Sequence, residues 1–270
     1  MADFDYWQKQ GKRAMFDEVD CLRPDQKRLA GKFLVIGGNT GAVFTVSTVM
    51  REATSLGAGE CRAVLPESLR TVVPATPELL FAPAEASGGF GKSALPLLLE
   101  QVDWADMVLL VGDFGKNDET MAVIGQLLAE MDERKPVYVM RDGVDAVVSR
   151  AQDWAMRAGD TVLLATVPQL QKLLRALYYP KIITLTMPMN QLVEVLHKVT
   201  LSYGLTIMTI HDGQLVVAQD GEVVSMAMQD TDYTMLTMFG GGLFAKMAVL
   251  GRWNEGVKKL RSVATAWGWQ

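Results

Sequence analysis

From residue 33 onward the chain alternates short apolar runs with amphipathic stretches. FLVIGG (33–38) is an unbroken apolar run ending in glycines, the pattern of a buried strand feeding a loop. AVFTVSTVMREATSLG (42–57) spaces its apolar residues at helical intervals and stops at Gly57, which predicts a helix with a glycine C-cap. CRAVLP (61–66) and ELLFAP (78–83) predict strands, each closed by proline. ALPLLLEQV (94–102) predicts a short helix, MVLLVGD (107–113) a buried strand, ETMAVIGQLLAEMDER (119–134) a helix and PVYVMRD (136–142) a strand. TVLLAT (161–166) adds a strand. Two helices follow over 167–179, with Leu170, Leu173, Leu174 and Leu177 as its apolar positions, and over 190–204.

LTIMTI (205–210), QLVVA (214–218) and EVVSMAM (222–228) predict a β-meander. Both intervening turns, His211-Asp212-Gly213 and Gln219-Asp220-Gly221, end in Asp-Gly, a hairpin signature. Two helices close the chain, one opening at the glycine triplet Gly240–Gly242 and one over 254–267. Alternating strands and helices predict an α/β three-layer sandwich: a mainly parallel sheet, helices on both faces, and the antiparallel meander at an edge. No linker, repeat or low-complexity tract interrupts residues 33–270, which are read as one domain behind a lead segment, 1–32. Tyr6, Trp7 and Phe16 of that lead are expected to pack on the body or on a partner chain.

Composition narrows the classes. The chain has 270 residues, 49% hydrophobic and 21% charged, enough for an ordered core. Its net charge of −5, with Lys and Arg interleaved among acids, argues against a nucleic-acid partner. The cysteines, Cys21 and Cys61, suggest neither a disulfide framework nor a zinc site, and no metal site is assigned. The N-terminus carries no signal-peptide core, and no apolar run approaches the ~18 residues of a membrane span. A cytoplasmic protein without a membrane partner is the expectation.

Two glycine-rich stretches are candidates for phosphate binding. Gly240–Gly242 stands at a helix start, where backbone amides and the helix dipole favour an anion; close helix packing is the plainer alternative. ASGGFGKS (86–93) ends in Gly91-Lys92-Ser93 as a P-loop does, and Asp113 ends an apolar strand like a Walker B acid. Ala86 replaces the first glycine, no strand leads directly into the loop, and Pro96 falls in the next helix, so a surface loop with a solvated Lys92 is favoured. His211 reads as an exposed turn residue and His197 as packed or partly exposed. The methionines at 226, 228, 235, 238 and 247 read as core fillers.

The order of motifs resembles the ADP/ATP-dependent NAD(P)H-hydrate dehydratases of the ribokinase-like superfamily. FLVIGGNTGA followed by ATSLGAGECRAVLP carries the most specific part: Gly37 to Ala42 fit the family's first substrate loop, and Gly57-Ala58-Gly59 its helix-ending turn. Gly112-Asp113-Phe114-Gly115 falls at the family's Gly-Pro-Gly-Leu-Gly loop, and Met140-Arg141-Asp142-Gly143-Val144 at its Asp-Ala-Asp-Ala-Leu. Ala165 to Gln169 falls at its Thr-Pro-His-x-Gly-Glu, without the histidine or glutamate, and His211 where a lysine is expected. Leu236 to Gly242 aligns with Ala-Thr-x-Gly-Ser-Gly-Asp, so Gly242 occupies the base position.

The resemblance implies an anion or nucleotide site at Gly112, Asp113, Gly115, His211 and Gly240 to Gly242, and a substrate site at Gly38, Asn39, Thr40, Gly41 and Asp142. It implies ADP or ATP, with Mg2+, as cofactors, small-molecule ligands and self-association into homo-oligomers. Family members phosphorylate the hydrate's hydroxyl and eliminate phosphate, a carboxylate taking the hydroxyl proton. With glycine at 242 the catalytic group is unassigned; Asp113 and Asp142, then Asp212 and Asp232, are the substitutes available. The leading reading is a divergent hydrate dehydratase-like protein with weakened or lost activity, a metabolite-repair lyase or small-molecule kinase if active. The alternatives are a non-catalytic binding or assembly protein on the same fold, and a P-loop nucleotidase.

Overall fold

The computed structural model describes residues 5–11, 15–16, 18–19, 23–115, 117–228, 239–254 and 260–261. Cys21, Asp232, Met235, Met238 and the 236–238 stretch lie outside them, as does most of the helix expected over 254–267. The described residues form one sheet of ten strands: β1 (Trp7–Gln10), β2 (Lys32–Gly37), β3 (Glu60–Pro66), β4 (Leu79–Ala82), β5 (Met107–Gly112), β6 (Val137–Met140), β7 (Thr161–Leu164), β8 (Leu205–His211), β9 (Gln214–Gln219) and β10 (Glu222–Ala227). Across the sheet they run β1-β10-β9-β8-β7-β6-β5-β2-β3-β4. Only β9 is antiparallel to its neighbours, so the antiparallel part lies toward one edge.

Helices α1 (Phe44–Leu56) and α8 (Gly242–Trp253) cover one face of this sheet. The other face is covered by α2 (Leu95–Trp104), α3 (Asp118–Glu130), α4 (Gly143–Val148), α5 (Ala151–Ala155), α6 (Val167–Ala176) and α7 (Met189–Ser202). Double cover explains the unbroken apolar runs, since every position of β5, β6 and β7 is buried. The expected mainly parallel α/β architecture is present. Among the described residues no helix is long and apolar enough to cross a membrane.

Three elements escaped the pattern. α4 and α5 are too short for helical periodicity to register. β1 comes from the lead segment and pairs in parallel with β10, outside the meander. It is fixed by a Tyr6 ring stacked on His197 at 3.6 Å and by Trp7 Nε1 donating to Ser225 Oγ at 3.0 Å.

The chain steps outward from β2 through β3 to β4, then returns to the other side of β2 as β5. Such a reversal leaves a crevice at the carboxyl ends of the two central strands. The start of α8 is held beside this end by α1. A Cβ at Gly241 would lie 2.7 Å from Val49 Cγ2 and 3.3 Å from the Thr45 carbonyl oxygen, and its φ is +99°. Gly242 has no such constraint, its nearest atom being Glu52 Cγ at 3.9 Å. Gly241→Ala is therefore expected to lower stability by about 1–3 kcal/mol, from overpacking and backbone strain together. Gly242→Ala should stay within about 0.5 kcal/mol of wild type. Urea unfolding of the two variants checks the contrast, and equal losses would contradict this packing.

Candidate functional site

The β2 and β5 ends are stitched to each other. Gly38 N donates to the Gly112 carbonyl at 3.0 Å, and Asn39 Nδ2 donates to the Asp113 carbonyl at 2.5 Å. Asn39 Oδ1 accepts from Gly41 N at 2.7 Å, which closes the 38–41 turn on itself. The structure thus brings the expected substrate loop, Gly38 to Gly41, against the expected anion loop, Gly112 to Gly115.

The next strand end adds charge. Arg141, directly after β6, places Nη2 at 2.5 Å from Asp113 Oδ1, and its Nη1 donates to the Phe239 carbonyl at 3.2 Å. One guanidinium therefore joins the β5 end to the residue preceding the glycine triplet. Both partners hold left-handed backbone, φ +61° at Asp113 and +56° at Arg141, uncommon for residues with a Cβ. Arg141 is held there from behind. Gln169 Nε2 donates to the Arg141 carbonyl at 2.7 Å and to Asp145 Oδ2 at 3.1 Å, while Lys172 Nζ pairs with Asp145 at 2.7 Å. Gln169 also closes a capping box with Thr166 at the start of α6.

Asp142, expected in substrate binding or as a substitute base, is turned toward the 112–115 loop. Its Oδ2 accepts from Gly115 N at 3.1 Å, and its Oδ1 is buried without a partner among the described residues. That oxygen packs on Gly112, where a Cβ would meet it at 2.4 Å, so glycine is required there. Burial, and then the Asp113 charge, push the Asp142 carboxyl up from the ordinary carboxylate range, against the pull of backbone amides. Its role is to fasten the 112–115 loop.

At the triplet, Gly241 is the left-handed N-cap of α8, and the first intrahelical bond runs from Ala245 N to the Gly241 carbonyl at 2.9 Å. The amides of Gly242, Leu243 and Phe244 precede it and have no partner within the helix. Close packing and amide presentation thus fall on different glycines of the triplet. Glu52 of α1, beside Gly242, brings a carboxylate that no motif singled out; it pairs with Arg51 at 3.3 Å.

One expectation needs correction, and one alternative falls. His211 is buried at the end of β8, 4% exposed, with Nε2 at 2.7 Å from the Met187 carbonyl oxygen, so it is no exposed turn residue and its ring nitrogen is engaged. Asp212 does lie in the β8–β9 turn, at φ +48°. The P-loop reading fails because the loop already cradles a carboxylate of its own. Glu85 accepts from Ser87 N at 2.6 Å, from Gly89 N at 2.9 Å and from the Ser87 hydroxyl. Those bonds, the hydroxyl's first, hold the Glu85 carboxyl below its ordinary range. Lys92 is exposed and its amide donates to Glu119 Oε1 at 3.0 Å. This loop instead walls the crevice: a Cβ at Gly88 would coincide with the Thr40 side chain, and Ser68 Oγ donates to the Gly88 carbonyl at 2.7 Å.

Two shallow cavities, about 330 and 400 Å3, lie at the opposite end of the sheet around Lys27, Gly59 and Glu60. We place the candidate site at the carboxyl ends nonetheless, because the topological reversal, the strained residues and the glycine loops all meet there.

Asp142 supplies a pH test. A carboxyl raised on folding binds its proton more tightly in the folded chain, so stability falls as pH rises from the unfolded value, about 3.9, through the folded one. Asp142→Asn removes that dependence and keeps an acceptor for Gly115 N. Its melting temperature relative to wild type is expected to rise across this window. Asp142→Ala, lacking the acceptor, should cost about 1 kcal/mol at every pH. A wild type that instead gains on the Asn variant with rising pH would contradict the inward orientation.

No family model matches the chain, and no curated protein gives a significant sequence match. Solved structures do resemble it. A ribokinase-like superfamily protein of Enterococcus faecalis V583 superposes with a TM-score of 0.72 at 16% identity, covering 99% of this chain and 88% of that one. ADP/ATP-dependent NAD(P)H-hydrate dehydratase of Bacillus subtilis, co-crystallised with ATP/Mg2+, gives 0.59 at 14% identity, covering 93% and 84%. Phosphofructokinase-2 of Escherichia coli, in complex with fructose-6-phosphate, gives 0.55 at 12% identity, covering 78% and 75%. Identities this low establish the architecture only: the chain has the ribokinase-like fold.

Proposed function

We propose that this protein is a divergent relative of the NAD(P)H-hydrate dehydratases that binds an adenine nucleotide at the carboxyl end of its sheet and has weakened or lost dehydratase activity. The observation that carries this reading is the convergence on Arg141. Its guanidinium ties the Gly112–Gly115 loop to the residue preceding the triplet, and the Gly38–Gly41 loop is bonded to the same β5 end. Structural neighbours with this fold were crystallised with ATP/Mg2+ and, in a Bacillus subtilis pyridoxal kinase, with ADP.

The expected loss of turnover rests on what the described carboxylates do. Phosphoryl transfer to a hydroxyl needs a group that accepts its proton, typically worth ~10²–10⁴-fold in rate. Position 242 has no carboxylate; Asp113 is 7% exposed and ion-paired with Arg141, and Asp142 is fastened to Gly115. Gln169, near the family's missing His and Glu, is spent on Arg141 and Asp145. The same engagement favours a second reading, a binding or assembly protein that keeps the cleft without chemistry.

Thermal shift with ADP, ATP, NADH and hydrated NADH, each added separately, tests the first reading. Adenine nucleotides are expected to stabilise the protein, equally in wild type and in Lys92→Ala. No shift with any nucleotide would leave the second reading. For activity, regeneration of NADH absorbance from the hydrate with ATP or ADP is expected to run at least about 100-fold slower than a dehydratase with its base intact. A rate comparable with such an enzyme would overturn the loss of function and make Asp113 the first residue to mutate. Activity appearing only in Gly242→Asp would mark a cradle lacking nothing but its base.

A further inference from the structure

The hydrate dehydratase neighbour was co-crystallised with ATP/Mg2+, so a divalent cation is what the likeness implies for this cleft. A Mg2+ ion beside a nucleotide is held by one or two carboxylates together with the phosphates, and keeps several waters. Among the described residues, the carboxylates around this cleft do not suit that task. Asp113 is 7% exposed and bound to Arg141; Asp142 gives one oxygen to Gly115 N and buries the other; Glu52 pairs with Arg51. Among the described residues no group of three or more His, Cys, Asp or Glu could hold a metal ion.

Of the Arg141–Asp113 pair, the guanidinium is the partner that reaches solvent. The Arg141 side chain is 37% exposed, and its bonds to Asp113 and Phe239 use two of the five N–H donors of a guanidinium. A guanidinium stays charged at any physiological pH and grips phosphate oxygens two at a time. Its aim is fixed by the bond from Gln169 Nε2 to the Arg141 carbonyl and by the ion pair with Asp113.

We infer that the cleft meets the charge of a nucleotide's phosphates with the Arg141 guanidinium and the backbone amides at the start of α8, in place of a divalent cation. The inference rests on the nucleotide reading above and adds that binding is independent of Mg2+. Gln169 is then a positioning residue, acting through the Arg141 backbone.

Calorimetric titration of ADP into the full chain, once in EDTA and once in millimolar MgCl2, tests this directly. Wild type is expected to bind in both buffers, with dissociation constants within about threefold. Arg141→Gly keeps a backbone that accepts left-handed φ. It should weaken ADP binding in EDTA by roughly ten- to hundredfold, the loss of a charge-assisted hydrogen-bonding group. Arg141→Lys, which keeps the charge without the planar fork, should fall between them. Gln169→Ala should weaken binding in the wild-type background and add nothing in the Arg141→Gly background, whereas a merely structural glutamine would weaken both. Wild-type binding that appears only with MgCl2, or undiminished binding by Arg141→Gly in EDTA, would overturn the inference and leave the nucleotide reading standing. Absence of ADP binding by wild type in both buffers would overturn the two together.

Discussion

A parallel sheet buried on both faces can show polar chemistry only where its strands stop. β5, β6 and β7 are buried at every position, so their backbone groups are spent on neighbouring strands and their side chains on helices. The chain's reversal beside β2 leaves the β2 and β5 ends with no crossover between them. Everything distinctive about the crevice is an arrangement of these ends. Asp113 and Arg141 leave adjacent strands in left-handed conformations that cost of order 1–3 kcal/mol each. Their ion pair, with the Gln169 and Gly115 bonds behind it, offsets that strain.

The architecture was legible because buried parallel strands write themselves as continuous apolar runs, and covering helices as periodic ones. FLVIGG, MVLLVGD and TVLLAT became β2, β5 and β7 close to their expected bounds. The short helices α4 and α5 span too few turns to show a period, and β1, with Gln8 and Lys9 both exposed, reads no differently from a polar lead. The site was legible in its glycines and illegible in its charges. Glycines at 38, 41, 112 and 241 mark turns and close approaches that depend on local backbone. The Asp113–Arg141 pair depends on which strands lie side by side, a fact absent from either residue's neighbourhood. His211 illustrates the converse: an Asp-Gly turn suggested exposure, yet the preceding residue still belongs to β8 and lies under the Met187 carbonyl.

The 85–91 loop shows why a glycine-rich motif can mislead. Its amides do converge on an anion, as a phosphate loop's would, but the anion is the carboxylate of Glu85 in the same loop. A nest of N–H groups selects negative charge and not its source. Internal satisfaction leaves the loop free to pack, and Gly88 lies directly on Thr40. The same distinction applies within Gly240–Gly242, where Gly241 is consumed by packing on α1 and the amides from Gly242 onward precede the helix's own bonding.

The departures from the dehydratase pattern push in one direction. On the proposed reading, glycine at 242 offers neither a proton acceptor nor a repulsion toward phosphate, and the partly exposed Arg141 guanidinium adds attraction. Each would strengthen the hold on an anion already present in the ground state. Neither supplies a group whose interaction grows as a hydroxyl loses its proton. Binding gained equally by ground and transition states tightens affinity without raising turnover. A cleft of the proposed kind would hold a phosphorylated ligand better while transforming it less well.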